Sequence, residues 1–220
     1  MRAASGRLKA PRSLYLLSII ERRRREPADD LVTALIAAQE GDGTLTPMEV
    51  VTFAILLLVA SNETTNLIGN AVNALLDHPD QLERVRRRRE LVPAVVEETV
   101  RWEGPIQILF RRVRRPVTLG GTTLPENAIV MPLLGSANRD EQQFPRPDVF
   151  DITRDTGGHV GFGLGVHYCL GAVLARLEAR VAIDALLDHL PGLERSDPNR
   201  EYVDSFLIRG PHRLGLARAA

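Results

Sequence analysis

The chain's single cysteine, Cys169, stands in the run Phe162-Gly163-Leu164-Gly165-Val166-His167-Tyr168-Cys169-Leu170-Gly171, a glycine-punctuated loop that leads straight into an amphipathic helix. Glycine at 163 and 165 opens backbone conformations closed to other residues and lets the main chain approach a flat ligand. The start of the next helix turns free N–H groups and partial positive charge toward the sulfur. Both effects favour a ligating thiolate.

Commoner roles compete for that residue. A lone cysteine in a soluble chain is most often a small buried hydrophobe. A Cys–His nucleophile needs an imidazole on the sulfur, which His167 reaches poorly from two residues away, and no Asp or Asn is placed to orient it. Zinc needs three more ligands, and the chain offers five scattered histidines and no second cysteine. What remains is a cofactor that takes one protein thiolate and carries its other donors itself, and haem is that cofactor.

With its continuation Ala172-Val173-Leu174-Ala175-Arg176-Leu177-Glu178, this loop resembles the haem-binding signature of the bacterial cytochrome P-450 monooxygenases, and three further segments follow the order of that family. The first is Ala60-Ser61-Asn62-Glu63-Thr64-Thr65, set in the apolar run from Val50 to Val59 and continued by Leu67, Ile68, Ala71, Val72, Leu75 and Leu76 at helical spacing. Thr46 and Glu49 are spaced as a capping box around Pro47, and Asp77-His78-Pro79 supplies a stop, so one helix of ~30 residues and roughly 45 Å is expected. The resemblance makes it the helix that crosses above the haem, with Glu63 and Thr64 as the acid and alcohol that carry protons to oxygen. The alternative is a Ser/Thr hydroxyl bonded back to a carbonyl one turn earlier, bending the helix. Ser61 stands where the family normally has glycine.

The second segment is Glu98-Thr99-Val100-Arg101, an i,i+3 pair worth about 0.2–0.5 kcal/mol on a surface and expected to be partly buried beside Val95, Val96 and Trp102. It resembles the family's Glu-x-x-Arg, whose third basic partner falls at Val149 here, with Arg146 as the nearest substitute. The third is Ile106 to Val113, a strand-like stretch leaving the helix through Gly104-Pro105. Arg111 matches the arginine that bonds a haem propionate; taken alone, the cluster Arg111, Arg112, Arg114 and Arg115 reads as an exposed sheet edge. The resemblance thus assigns haem b (iron protoporphyrin IX) to Cys169, Arg111, His167, Phe162, Gly163, Gly171 and Ala60, with Cys169 on the iron. It assigns the substrate pocket to Ile106, Gln107, Ile108, Phe206, Leu207 and Ile208, mostly apolar and so suited to a hydrophobic molecule.

The elements that must position these residues are helical first and mixed later. Helices are expected near 12–25, 29–40, 47–76, 79–88, 92–102 and 170–189. Short strands are expected near 106–113, 116–119, 122–124 and 128–133, with a last hairpin over about 201–217. The fold class is mainly α with small β-sheets. At 220 residues, 44% apolar and 25% charged, the chain can bury a sizeable core. Twenty-eight basic residues balance twenty-eight acidic ones, which gives no electrostatic footprint for nucleic acid. The arginine runs 22–25 and 86–89 read as solvated helix faces, or as a dock for an acidic electron donor.

The run Val50 to Ala60 is too short to span a bilayer and leads into Ser61, Asn62 and Glu63, so no membrane segment is expected. One free cysteine needs no oxidising compartment, and the cytoplasm is the default. Family members are much longer. The resemblance places 27–220 as the C-terminal haem-binding part, leaves 1–26 as an unplaced N-terminal segment and helix, and implies that the segments forming the distal roof are not in this sequence. The activity it implies is hydroxylation of a small hydrophobic molecule with O2 and electrons from a ferredoxin and its reductase. The rival from another class is a non-catalytic haem-binding remnant, or a fragment that needs a partner chain.

Overall fold

The computed structural model describes residues 12–42 and 45–218; of the unplaced N-terminal segment 1–26, residues 1–11 lie outside the described residues. The chain falls into two compact units, one ending at Asn62 and the other beginning at Glu63.

The first unit is helical. Helices α1 (Arg12–Arg25), α2 (Leu31–Asp42) and α3 (Pro47–Ala60) enclose a small core of Ile20, Ile36, Val50 and Val51. Local chemistry starts two of them. Asp30 Oδ1 accepts from the Thr33 N–H at 2.9 Å ahead of α2. The capping box before α3 forms as spaced, with Thr46 Oγ1 accepting from Glu49 N at 3.3 Å and Glu49 Oε2 accepting from Thr46 N at 2.7 Å.

The expected 30-residue helix is instead two. α3 stops at Ala60 and α4 runs Glu63–Asp77, with a turn at Ser61 and Asn62 between them. The cause is side-chain competition with the helical ladder: Ser61 Oγ donates to Leu58 O at 3.1 Å and Asn62 Nδ2 donates to the same carbonyl at 3.3 Å. Counted across this turn, Met48–Asp77 has the length and composition of a membrane span, contrary to the expectation from the shorter apolar run. Its second half packs into a core, with Leu67, Asn70, Ala71, Val72, Asn73, Ala74 and Leu75 all buried.

In the second unit α4 packs against α6 (Val92–Glu103) and α8 (Ala172–His189). Leu67, Ala71 and Leu75 meet Val92, Val95, Val96 and Val100 and, from α8, Ala179, Ile183 and Leu187, with Phe150 and Ile152 closing the cluster. The spacing of these residues gives each helix one apolar stripe, and burying the three stripes together is what holds α6 and α8 in fixed relation. α5 (Pro79–Arg87) and the short α7 (Leu134–Ala137), which sequence patterning did not reveal, complete the helices.

The sheets are three antiparallel pairs: β1 (Arg111–Arg112) with β4 (Ile129–Val130), β2 (Val117–Leu119) with β3 (Thr122–Leu124), and β5 (Leu193–Arg195) with β6 (Leu216–Arg218). The β2–β3 hairpin turns at Gly120-Gly121 as expected. Two expectations fail. The strand over 106–113 shrinks to Arg111–Arg112, since Ile106 and Ile108 make only single bridges, to Ile208 and Leu133. The hairpin over 201–217 is absent as well. Its last residues pair with β5, and one bridge, Tyr202 to Pro211, survives where Pro211 has no N–H to extend a ladder.

Candidate functional site

The cysteine loop is folded by its own backbone. Gly163 and Gly165 take φ of +75° and +67°, the left-handed region that the sequence called for. A short 3-10 turn, Gly165–His167, reverses the chain, and the Cys169 N–H then donates back to Phe162 O at 2.8 Å, closing the loop on itself. Cys169 is exposed, and so are the apolar residues around it: Leu164, Val166, Leu170 and, on the first turn of α8, Val173. A Cβ added at Gly171 would lie 4.0 Å from the sulfur, so glycine there keeps one side of Sγ open.

α6 supports this loop and its surroundings with two adjacent acids. Glu98 and Arg101 are fully buried, and the fork of Arg101 is bidentate: Nε donates to Glu98 Oε2 and Nη2 to Oε1, both at 2.7 Å. The remaining guanidinium protons reach Asn138 O at 3.0 Å, Pro147 O at 2.8 Å and Val149 O at 3.2 Å, which anchors the irregular segment between α7 and the cysteine loop. The third basic group is Arg154, whose Nε lies 3.4 Å from Glu98 Oε1 and whose fork also holds the carbonyls of Arg146 and Val149. Arg146, the substitute expected from sequence, is excluded by geometry. Its backbone sits at φ +50° and its side chain, 74% exposed, points toward Asp151.

Glu97 faces the cysteine loop itself, and sequence reading gave it no role. Arg176 on α8 donates to it from Nε at 2.5 Å and Nη2 at 2.9 Å, and His159 Nε2 lies 3.1 Å from Glu97 Oε2. Burial works against the Glu97 charge, but the hydrogen bonds from His159 and Arg176 outweigh it and hold the carboxyl at about 2. The same pairing, with help from Tyr168, raises the Arg176 guanidinium above its ordinary range. Arg176 Nη1 reaches Tyr168 Oη at 3.0 Å, and its guanidinium lies 4.3 Å from the Phe162 ring centroid. No local spacing could reveal this, because Glu97 and Arg176 are 79 residues apart in the chain.

At the start of α4, Glu63 is half-buried and accepts from Asn66 Nδ2 at 3.2 Å. Burial pushes its carboxyl above the ordinary carboxylate range despite that hydrogen bond. Thr64, next along α4, is half-buried too, and the back-bonding hydroxyl in this stretch is that of Ser61. Ala60 ends the first unit's last helix.

The sequence-predicted pocket residues do come together. Ile106 bridges Ile208, Gln107 N donates to Leu207 O at 2.8 Å, and a cleft of about 330 Å³ opens between Gln107, Ile108 and Phe206. Ile106 and Leu207 take part in the pairing without lining it. The wall is less apolar than expected, since Ser136, Tyr202, Ser205 and Arg209 share it. Arg111 is exposed on β1, where its Nη1 donates to Phe110 O at 2.9 Å, and His167 is exposed on the 3-10 turn. Among the described residues no hydrogen bond or ion pair joins Arg111, His167 and Glu63 to one another.

The donor set around Cys169 suits a metal that brings its other ligands. Among the described residues no group of three or more His, Cys, Asp or Glu side chains could hold an ion. The sulfur instead stands alone in an apolar, exposed rim, which a flat apolar macrocycle would cover.

Comparison with known proteins agrees with this arrangement. The family described as Cytochrome P450 matches residues 9–208. Cytochrome P450 107B1 of Saccharopolyspora erythraea is 46% identical over 210 residues, covering 94% of this chain and 52% of its own length. Vitamin D(3) 25-hydroxylase of Pseudonocardia autotrophica is 45% identical over 217 residues, 96% of this chain and 53% of that protein. The solved structure of CYP109Q5 from Chondromyces apiculatus superposes with a TM-score of 0.85 at 47% identity, covering 94% of this chain and 55% of that one. The chain therefore spans about half the length of the curated relatives it matches.

Proposed function

Because this chain belongs to the cytochrome P450 family, we propose that it is the haem-thiolate half of a monooxygenase that hydroxylates a small, mainly hydrophobic molecule. The observation that carries the reading is the single exposed cysteine held by a glycine turn in an apolar rim.

In this reading Cys169 Sγ is the protein ligand to a haem b, His167 and Arg111 hold its carboxylates as cationic or N–H donors, and Phe162, Gly163 and Gly171 face it. When bound, that group supplies dioxygen activation, with the thiolate donating electron density. The protein's own contribution is positional and protonic. Glu63, whose carboxyl is held above the ordinary range by burial, retains a proton closer to neutral pH than an exposed glutamate does and can release it from a carboxyl oxygen. Thr64, one residue on, offers a hydroxyl that both accepts and donates and so can relay that proton. The cleft between Gln107, Ile108 and Phe206 holds the substrate: Ile108 and Phe206 offer it apolar contact, and the polar atoms of Gln107, Ser136, Ser205 and Tyr202 orient a substrate oxygen.

Electrons come from a ferredoxin-type donor, and the arginine run at the C-terminal end of α5 is the surface offered to it: Arg87 and Arg88 are exposed, though each is paired within the chain, with Glu83 and Glu90, and would have to exchange that partner for an acidic one. The protein works in the cytoplasm, consistent with its one free cysteine and with the buried face of α4.

The test is spectroscopic. Protein reconstituted with haem, reduced and exposed to carbon monoxide should show the red-shifted Soret band of thiolate ligation, and Cys169→Ser should lose it. An unchanged spectrum in Cys169→Ser overturns the assignment. Turnover with a surrogate ferredoxin and reductase then separates a working monooxygenase from a protein that only binds haem.

A further inference from the structure

We propose that Glu97 is a positioning residue for the Cys169 sulfur, acting as a clamp that ties both flanks of the cysteine loop to α6. The inference rests on the haem-thiolate reading for its purpose and on this chain's own geometry for its existence.

One carboxylate holds two residues that bracket the loop. His159 precedes Phe162 and the glycine turn, and Arg176 follows Cys169, one turn into α8. The His159 Nδ1 accepts the Gly161 N–H at 3.2 Å, so the ring proton sits on Nε2 and points at Glu97 Oε2, 3.1 Å away. On the other side Arg176 engages both Glu97 oxygens with Nε and Nη2, a charge-assisted fork that fixes the guanidinium plane. That plane has two further tasks. It covers the Phe162 ring, 4.3 Å from its centroid, and its Nη1 donates to Tyr168 Oη at 3.0 Å.

Phe162 and Tyr168 are the residues through which the clamp reaches the sulfur. The Phe162 carbonyl accepts the Cys169 N–H at 2.8 Å, and Tyr168 is the residue immediately before the cysteine. The Phe162 and Tyr168 rings are also in contact, with centroids 6.4 Å apart. The path from Glu97 through Arg176 to Phe162 and on to the Cys169 amide therefore contains no solvent gap, although Cys169 itself is exposed and makes no side-chain hydrogen bond among the described residues. A sulfur on a surface loop has little else to hold it where a metal needs it. Glu98, the next residue on α6, points a helical step away and serves the Arg101 network instead, so the two acids divide the work.

The experiment compares wild type, Glu97→Gln and Arg176→Lys as full chains. Glu97→Gln keeps the shape and removes the charge; Arg176→Lys keeps the charge and removes the fork and the planar cover on Phe162. The first measurement is hydrogen–deuterium exchange without haem. Peptides spanning 160–172 should exchange roughly tenfold faster in both variants, the change expected from losing charge-assisted bonds that close a local unit. Peptides from α4 and the middle of α8 should exchange as in wild type. The second is the carbon monoxide spectrum after reconstitution, where the fraction of thiolate-type band should fall in both variants at matched haem content. Unchanged exchange at 160–172 in Glu97→Gln overturns the clamp. So does faster exchange spread evenly over the whole second unit, which would make Glu97 a general stabiliser. If wild type itself lacks the red-shifted band, the haem reading fails while the exchange result still decides the clamp.

Discussion

Glu98, Arg101 and Arg154 show how a buried charge network is kept satisfied when its usual third member is missing. Val149 stands where the family resemblance leads one to expect a basic residue, and its carbonyl, not its side chain, enters the network as an acceptor for both Arg101 and Arg154. The positive charge arrives five residues later, from a side chain only 8% exposed. Glu98→Ala leaves the Arg101 charge buried without its carboxylate, and Arg101→Ala leaves buried Glu98 with only the longer 3.4 Å contact to Arg154, so either change should cost about 3–5 kcal/mol in denaturant unfolding. Arg154→Ala, which removes one bond to Glu98 Oε1 and bonds to the carbonyls of Pro145, Arg146 and Val149, should cost about 1–3 kcal/mol. Arg146→Ala, on an exposed side chain, should lie within about 0.5 kcal/mol of wild type. The reverse order for Arg154 and Arg146 would return the third position to the residue that sequence alone suggests.

At the scale of elements, the cysteine loop and the break between α3 and α4 depend on single side chains or on their absence. Gly163 and Gly165 share a left-handed backbone but differ in surroundings. A Cβ at Gly163 would approach His167 O to 3.2 Å, whereas at Gly165 it meets open space. Gly165→Ala should therefore show conformational strain alone, about 1–2 kcal/mol, and keep a normal carbon monoxide spectrum. Gly163→Ala should add a collision inside the turn, lowering stability further and disturbing the spectrum. The interruption at Ser61 and Asn62 is likewise local: two side chains bond back to Leu58 O and end one helix before the next begins at Glu63. The capping box at Thr46 was legible from its spacing because both partners lie within one turn. The break was legible only as an alternative, a Ser/Thr hydroxyl bonded back to a carbonyl, because helical apolar spacing resumes at Leu67 beyond the polar stretch.

For the whole molecule, the clamp should contribute to the acid sensitivity of folding. Glu97 is held at about 2, below the ordinary carboxylate value, so its contribution to folding is present above roughly pH 4.5 and is lost as pH falls toward 2. The acid limb of unfolding, followed by circular dichroism, should be shallower in Glu97→Gln than in wild type between those limits, and identical curves would show that the ion pair contributes nothing there. Much of the fold's outline was set by the sequence on its own: helix stripes, the capping box, the β2–β3 turn, the Glu98–Arg101 pair and the glycine turn before Cys169 all arise from interactions within a few residues, and a linear pattern records such distances faithfully. Tertiary structure alone decided that Arg154 rather than Arg146 completes the buried network, that the final strand pairs with β5, that the Gln107 amide bonds Leu207 beside a partly polar cleft, and that Glu97 reaches Arg176 and His159. Those contacts form because packing α4, α6 and α8 on one apolar core brings distant side chains together, and no spacing along the chain encodes which face of one helix will meet which loop of another.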